Sequence, residues 1–190
     1  NNIRDFVILE KASVIGGTWR ENQYPGAACD VQSHLYSLSF SPKTDWSKRY
    51  AEAPEIYTYI QSVITKFDLK KYCQFNTEVL AAKYNEDECE WHLTLNNNET
   101  LIAQFVVFAS GPLHVPQIPQ IKGLDQFKGE IFHSAKWNDQ YDLTDKKVAS
   151  IGTGGSAIQY IPEIADKVNH LYVFQRTAAW VIPRDDRKYL

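Results

Sequence analysis

Methionine is absent from all 190 residues, and the chain opens on Asn1. We therefore expect an internal stretch of a longer protein. Cysteine is scarce: Cys29, Cys73 and Cys89 are an odd number with no C-x-x-C spacing. That excludes a disulfide framework and a zinc ribbon, and it points to a reducing, cytoplasmic setting. Net charge is only −3, with an isoelectric point near 6.0 and no basic stripe, which excludes nucleic acid and anionic membrane surfaces as partners. No apolar run approaches the roughly 18 residues of a membrane span, and no signal peptide opens the chain. Repeats and low-complexity tracts are also lacking; Asn96–Asn98 is simply a hairpin-like turn. What is present is a globular composition, 44% hydrophobic and 13% aromatic, able to bury one sizeable core or two small ones.

The most informative stretch runs from Lys147 to Arg176. Val148–Ile151 is a short apolar run that ends in Gly152-x-Gly154-x-x-Ala157, and Ile158, Ile161, Ile164 and Ala165 then recur at helical spacing. Asp166–His170 breaks the helix, and Leu171–Phe174 supplies a second strand. This is a βαβ unit carrying the dinucleotide fingerprint. Gly152 permits the sharp turn, Gly154 lets backbone N–H groups approach a pyrophosphate, and Ala157 keeps the helix close to the sheet. The positive end of the helix meets the phosphate charge. A site selective for NAD places an acid after the second strand; here stand Gln175, Arg176 and Thr177. A guanidinium and a hydroxyl suit a 2′-phosphate, so the coenzyme expected is NADP(H).

Near the N-terminus, Asp5–Leu9 reads as an apolar strand ending in the acid Glu10, the form of a second Rossmann strand whose carboxylate binds a ribose hydroxyl. Its first strand and glycine turn are missing. Then come Gly16-Gly17-Thr18-Trp19-Arg20, Tyr24-Pro25-Gly26-Ala27-Ala28-Cys29-Asp30 and Ser33–Phe40, a long irregular loop rich in glycine and aromatics. Such loops inside compact domains are usually functional. Gly16 and Gly17 admit a flat ligand to the backbone, and Trp19 and Tyr36 are placed to pack on its rings. From Glu10 to Phe40 the pattern resembles the FAD domain of flavin-dependent monooxygenases, in particular the Baeyer–Villiger family.

Pro54 opens an amphipathic helix through Ile56, Tyr59, Ile60, Val63 and Phe67. Phe75–Tyr84, Cys89–Leu95 and Thr100–Phe108 are expected to be three strands of a small meander, and Phe105–Phe108 a buried strand running into Ala109-Ser110-Gly111. Prolines 112, 116 and 119 mark a linker. Phe127-x-Gly129-x-x-x-His133-x-x-x-Trp137 follows. It resembles the Baeyer–Villiger fingerprint FxGxxxHxxxW at all four fixed positions. Related flavin-containing monooxygenases usually carry another aromatic at the last one. His133 is read as a linker residue coupling domain positions rather than as a base, and Phe174–Arg184 also resembles the segment after the family's NADP strand.

The resemblance covers nearly the whole chain. It implies an α/β fold: residues 1–115 as a Rossmann-like FAD-binding domain, incomplete and bearing the small β-meander, and 116–190 as the start of a Rossmann-like NADP-binding domain. FAD contacts are implied for Glu10, Gly17, Thr18, Trp19, Asp30, Tyr36 and Val79. Ala28, Cys29 and Asp30 are placed near the nicotinamide. NADP(H) contacts are implied for Gly152, Thr153, Gly154, Gly155, Ser156, Ala157, Ile158, Arg176 and Thr177. Asp30 matches the catalytic carboxylate that orients the family's arginine, expected beyond Leu190. It is expected to be a buried carboxylate steering a cation. Because that arginine and the first FAD glycine turn are expected outside the chain, the stretch alone is expected to be inactive.

The implied activity is an NADPH- and O2-dependent conversion of ketones to esters or lactones through a C4a-peroxyflavin, with a small carbonyl compound as substrate. Most of that chemistry belongs to the cofactors. Two alternatives stay open, an N- or S-oxidising flavin monooxygenase and a catalytically inert nucleotide-binding module. A pyridine nucleotide-disulfide reductase needs a redox cysteine pair that is absent here.

Overall fold

The computed structural model of the chain describes residues 5–111 and 115–189. Pro112, one of the three linker prolines, lies outside them. Two compact units interleave in sequence: Asn1–Gly16 with Ile60–His114, and Gly17–Tyr59 with Val115–Leu190. The loop stretch 17–59 thus clusters with the C-terminal part of the chain rather than with its sequence neighbours.

In the first unit, β1 (Ile8–Leu9) pairs in parallel with β2 (Cys73–Gln74). The backbone extends the pairing, with Glu10 N donating to Gln74 O at 2.9 Å and Thr77 N to Glu10 O at 3.0 Å. Phe6 stacks on Tyr72 with ring centroids 4.4 Å apart. A meander of β3 (Val79–Asn85), β4 (Glu90–Leu95) and β5 (Thr100–Ala103) is antiparallel throughout, in the order β3-β4-β5. Leu93 and Leu95 alternate on the buried face of β4, as a pleated strand requires. The Asn96–Asn98 turn joins β4 to β5, with Asn98 at φ 66°.

Two strand expectations are corrected here. The segment expected from Phe75 starts pairing in the meander only at Val79, because Asn76 adopts φ 55° and breaks the extended chain. Phe105–Phe108, expected as a buried strand, is neither: Phe105 and Val107 are 86% and 88% exposed, and β5 ends at Ala103. An apolar run marks a segment suited to burial, yet a strand also needs a ladder partner. Among the described residues none pairs with it.

Helix α2 (Ala53–Lys66) has Pro54 in its first turn, where the missing N–H is harmless. Ala53, Ile56, Tyr59 and Val63 form its buried stripe. Its residues to Tyr59 belong to the second unit and those from Ile60 to the first.

The second unit contains the βαβ motif: β6 (Lys147–Ile151), α3 (Gly155–Ala165) and β7 (His170–Phe174). The strands are parallel and in register from Lys147 opposite His170 to Ile151 opposite Phe174. The buried face of α3 carries Ala157 and Ile164, whereas Ile158, read above as part of the apolar stripe, is 58% exposed. Pro162 lies inside the helix and leaves the Ile158 carbonyl without its usual donor. Elsewhere in this unit Ser33 is fully buried. Its hydroxyl reaches Lys48 O at 2.7 Å and accepts from Ala51 N at 2.8 Å, tying the glycine-rich loop to the start of α2.

Candidate functional site

The turn between β6 and α3 has the form that a dinucleotide phosphate needs. Gly152 sits at φ 103°, where a side chain would strain the backbone, and space is open around both Gly152 and Gly154. Gly154 caps α3 without a side-chain hydrogen bond, so no side chain competes for the amides of the first turn. An anion fits there. Gly152 N donates to Phe174 O at 2.8 Å, which fastens the turn to the end of β7 just before Arg176. Arg176 and Thr177 are both exposed, and Arg176 makes no hydrogen bond or ion pair among the described residues. Space is therefore open at the glycines for the pyrophosphate contacts expected for NADP(H), and the Arg176 guanidinium is uncommitted among the described residues.

The loop from Tyr24 to Asp30 packs directly on this helix. Gln159 is the fastener: its Oε1 accepts from Tyr24 OH (3.0 Å) and Ala28 N (3.2 Å), while Nε2 donates to Ala28 O (3.0 Å) and Asp30 Oδ1 (3.0 Å). Gly26, at φ 75°, lies flat against the same helix. A Cβ built on Gly155 would be 3.7 Å from Asp30 Oδ2, so the carboxylate stands over the first residue of α3.

Asp30 is not the buried group expected. Its side chain is 70% exposed, because the loop lies at the surface of its unit and its partners reach it from one side. Besides Gln159, Arg184 approaches with a guanidinium nitrogen 4.0 Å from Oδ1. That guanidinium also donates to Cys29 O at 3.1 Å and lies 4.0 Å over the Tyr50 ring. Asp30 thus has a cation inside this chain.

Trp19 and Tyr36 pack on each other rather than standing free: the indole N–H donates to the Tyr36 hydroxyl at 3.1 Å, with the rings edge-on at 5.7 Å. Burial pushes the Tyr36 phenol up, with the Trp19 hydrogen bond opposing. Burial likewise pushes the Cys29 thiol up, so Cys29 stays neutral beside the site. Gly17, at φ 50°, precedes the short helix α1 (Thr18–Glu21) with open space beside it.

Glu10 and Val79 belong to the first unit, and all the other expected contacts to the second. The Glu10 carboxylate accepts from Ala12 N at 2.8 Å, and Val79 opens β3 opposite Leu95.

The FxGxxxHxxxW positions have visible structural duties. The Phe127 ring folds back over Gly129, where a Cβ would stand 2.5 Å from it. His133 Nδ1 accepts from Ala135 N at 3.1 Å, capping the short turn Ser134–Lys136. Trp137 packs on Tyr160 of α3, rings 5.3 Å apart, and Tyr160 shares a 2.7 Å hydrogen bond with Ser150 of β6. Sequence reasoning missed Gln159, Tyr50 and the role of Arg184. The only signal for Gln159 was a polar residue set between Ile158 and Tyr160 on a helix otherwise apolar there.

Known proteins resemble this chain over nearly its whole length. The flavin-binding monooxygenase-like family matches residues 5–189. A Baeyer–Villiger monooxygenase of Streptomyces coelicolor is 48% identical over 185 residues, covering 97% of this chain and 36% of that protein. Cyclohexanone 1,2-monooxygenase of an Acinetobacter species is 40% identical over 179 residues, covering 92% and 33%. Among solved structures, OTEMO in complex with FAD and NADP superimposes with a TM-score of 0.89 at 38% identity, covering 96% of this chain and 36% of that one. The chain spans about a third of the length of the curated relatives it matches.

Proposed function

Since the chain belongs to the flavin-binding monooxygenase-like family, we propose that it supplies the coenzyme-facing part of a Baeyer–Villiger monooxygenase. The reaction is an NADPH- and O2-dependent conversion of a small ketone to an ester or lactone. One observation carries the reading: the Tyr24–Asp30 loop, which resembles the family's flavin loop, is fastened by Gln159 to the helix of the dinucleotide fingerprint. A carboxylate is thereby held over the place where a pyridine nucleotide enters.

When bound, FAD and NADPH supply the redox chemistry. The chain's own residues bind and orient. Gly152 to Ile158 receive the pyrophosphate at the start of α3, and Arg176 and Thr177 take the 2′-phosphate. Ala28, Cys29 and Asp30 line the nicotinamide side, with Asp30 placing negative charge where a guanidinium is to be oriented. Glu10 meets a ribose hydroxyl; Gly17, Thr18, Trp19, Tyr36 and Val79 complete the flavin contacts. Assignment of FAD to residues 1–115 and NADP(H) to 116–190 is part of the same proposal and concerns ligands rather than packing units. So is a cytoplasmic location, supported by three unpaired thiols.

The test is product analysis. With the protein expressed at full length and loaded with FAD, NADPH consumption in air should match ester or lactone formation one to one for a cyclic ketone. Amine or sulfide oxidation without any ester would move the protein to the N- and S-oxidising branch, and no NADPH consumption at all would leave only a nucleotide-binding module.

A further inference from the structure

Resting on the reading above, we propose that Gln159 is the positioning residue through which the coenzyme helix sets the Asp30 carboxylate. A primary amide offers two donors and two acceptor lone pairs, and all four are used here, by Tyr24, by both backbone groups of Ala28 and by Asp30. Flipping the amide would set its NH2 against Ala28 N–H and its oxygen against Ala28 O and Asp30. Only one orientation of the side chain therefore satisfies the site. Gly26 leaves no room for a side chain between the loop and the turn of α3 that carries Gln159, since a Cβ there would stand 2.8 Å from the Gln159 carbonyl oxygen.

Asp30 is bracketed. A neutral donor reaches it from α3, whose start receives the pyrophosphate, and a cation, Arg184, reaches it from the segment after β7 that carries Arg176. A shift of α3 when phosphate binds moves Gln159 rigidly with the helix, and the planar amide passes that shift to Asp30 and to the Ala28 peptide. A glutamine that merely joined loop to helix would leave the Asp30 carboxylate out of its bonding. This one directs a donor to the single carboxylate of the Tyr24–Asp30 loop.

Gln159→Glu and Gln159→Leu, in the full-length protein loaded with FAD, separate the two roles. Glutamate keeps the shape and the acceptor contacts, but it sets a second carboxyl against Asp30. Two carboxyls at that distance hold one proton between them, so the upper of their shared titrations is raised. The charged and titratable groups facing the pair are Arg184, Cys29, Tyr24 and Glu163, one turn further along α3. For Gln159→Glu, we expect NADPH KM to stay within about threefold, kcat for NADPH oxidation to fall about tenfold at high pH, and that loss to shrink as pH falls and the pair takes up its proton. Gln159→Leu should be slow at every pH. As a readout besides turnover, NADP+ should slow hydrogen exchange at the amides of Ala28–Val31 in the parent and leave them unchanged in Gln159→Leu.

A Gln159→Glu-to-parent kcat ratio independent of pH overturns the proposal, as does a parent-like response of the Ala28–Val31 amides in Gln159→Leu. If the leucine variant does not fold, the pH dependence of the glutamate variant decides alone. A parent that shows no NADP+ binding by calorimetry overturns the coenzyme reading itself. Parent binding with variants that behave like the parent overturns only the role of Gln159.

Discussion

A Cβ added to Gly26 would stand 2.8 Å from the carbonyl oxygen of Gln159, closer than side-chain carbons come to backbone oxygen. Neither partner can give way easily, because the oxygen belongs to a helix and Gly26 already has φ 75°. Gly26→Ala therefore combines left-handed strain with overpacking. Gly123, at φ 82° with nothing within 4 Å, isolates the strain alone. Gly123→Ala is expected to cost about 1–2 kcal/mol, and Gly26→Ala about 1–3 kcal/mol more. Urea unfolding of both variants checks this; equal losses would mean that loop and helix are not in contact.

Ser33 has no exposed surface, and its hydroxyl serves Lys48 O and Ala51 N together. Ser33→Ala removes the side-chain partner of both backbone groups, leaves the buried Ala51 N–H unsatisfied, and should cost about 2–3 kcal/mol. Asp185, whose side chain is 67% exposed beside Arg49, is the contrast. Asp185→Asn should change stability by less than about 1 kcal/mol, and less again in high salt. A Ser33 variant as stable as the Asp185 variant would remove the hydroxyl from the list of what holds the glycine-rich loop.

Cys29 is buried and Cys89 exposed, and burial raises the Cys29 thiol above the ordinary range. A thiol kept protonated by folding contributes stability that is complete below the ordinary thiol value and is lost as pH rises from that value through the raised one of the folded chain, because the unfolded chain ionises first. Half-buried Tyr36, raised for the same reason, acts in the same direction at still higher pH. Iodoacetamide at pH 8 should label Cys89 quickly and Cys29 only on unfolding, and Cys29→Ala should flatten the fall in stability between neutral and alkaline pH. Rapid labelling of Cys29 in the folded protein would show the loop open.

The βαβ motif was legible in the sequence because every signal for it is local. The glycines, the helical period and the breaker at Asp166 lie within one continuous stretch, and the structure places β6, α3 and β7 there. What escaped was non-local. Gln159 meets Ala28 across 131 residues and Arg184 meets Cys29 across 155, and no periodicity announces such a pair. Phe105–Phe108 failed for the same reason, since apolar character does not say which strand lies alongside. Asp30 was singled out because the Tyr24–Asp30 stretch resembles the family's loop, but its exposure depends on how that loop meets a helix far away in sequence.

We propose that Arg176 decides the coenzyme. It stands two residues beyond the end of β7, exposed and without a partner among the described residues, while Gly152 is hydrogen-bonded to that same strand end. A dinucleotide entering at the glycine turn would bring its adenosine ribose toward this guanidinium, with Thr177 adding a neutral hydrogen bond. Because Arg176 makes no hydrogen bond or ion pair among the described residues, Arg176→Ala should leave stability unchanged, which separates a coenzyme effect from a folding one. Hydrogen bonds to charged groups contribute roughly 1.5–3 kcal/mol, so kcat/KM for NADPH should fall about ten- to a hundredfold. NADH lacks the 2′-phosphate and should be used about as well as before. If the NADPH-to-NADH preference survives the substitution, or if the parent protein already prefers NADH, Arg176 is a solvated surface arginine and the 2′-phosphate lies elsewhere.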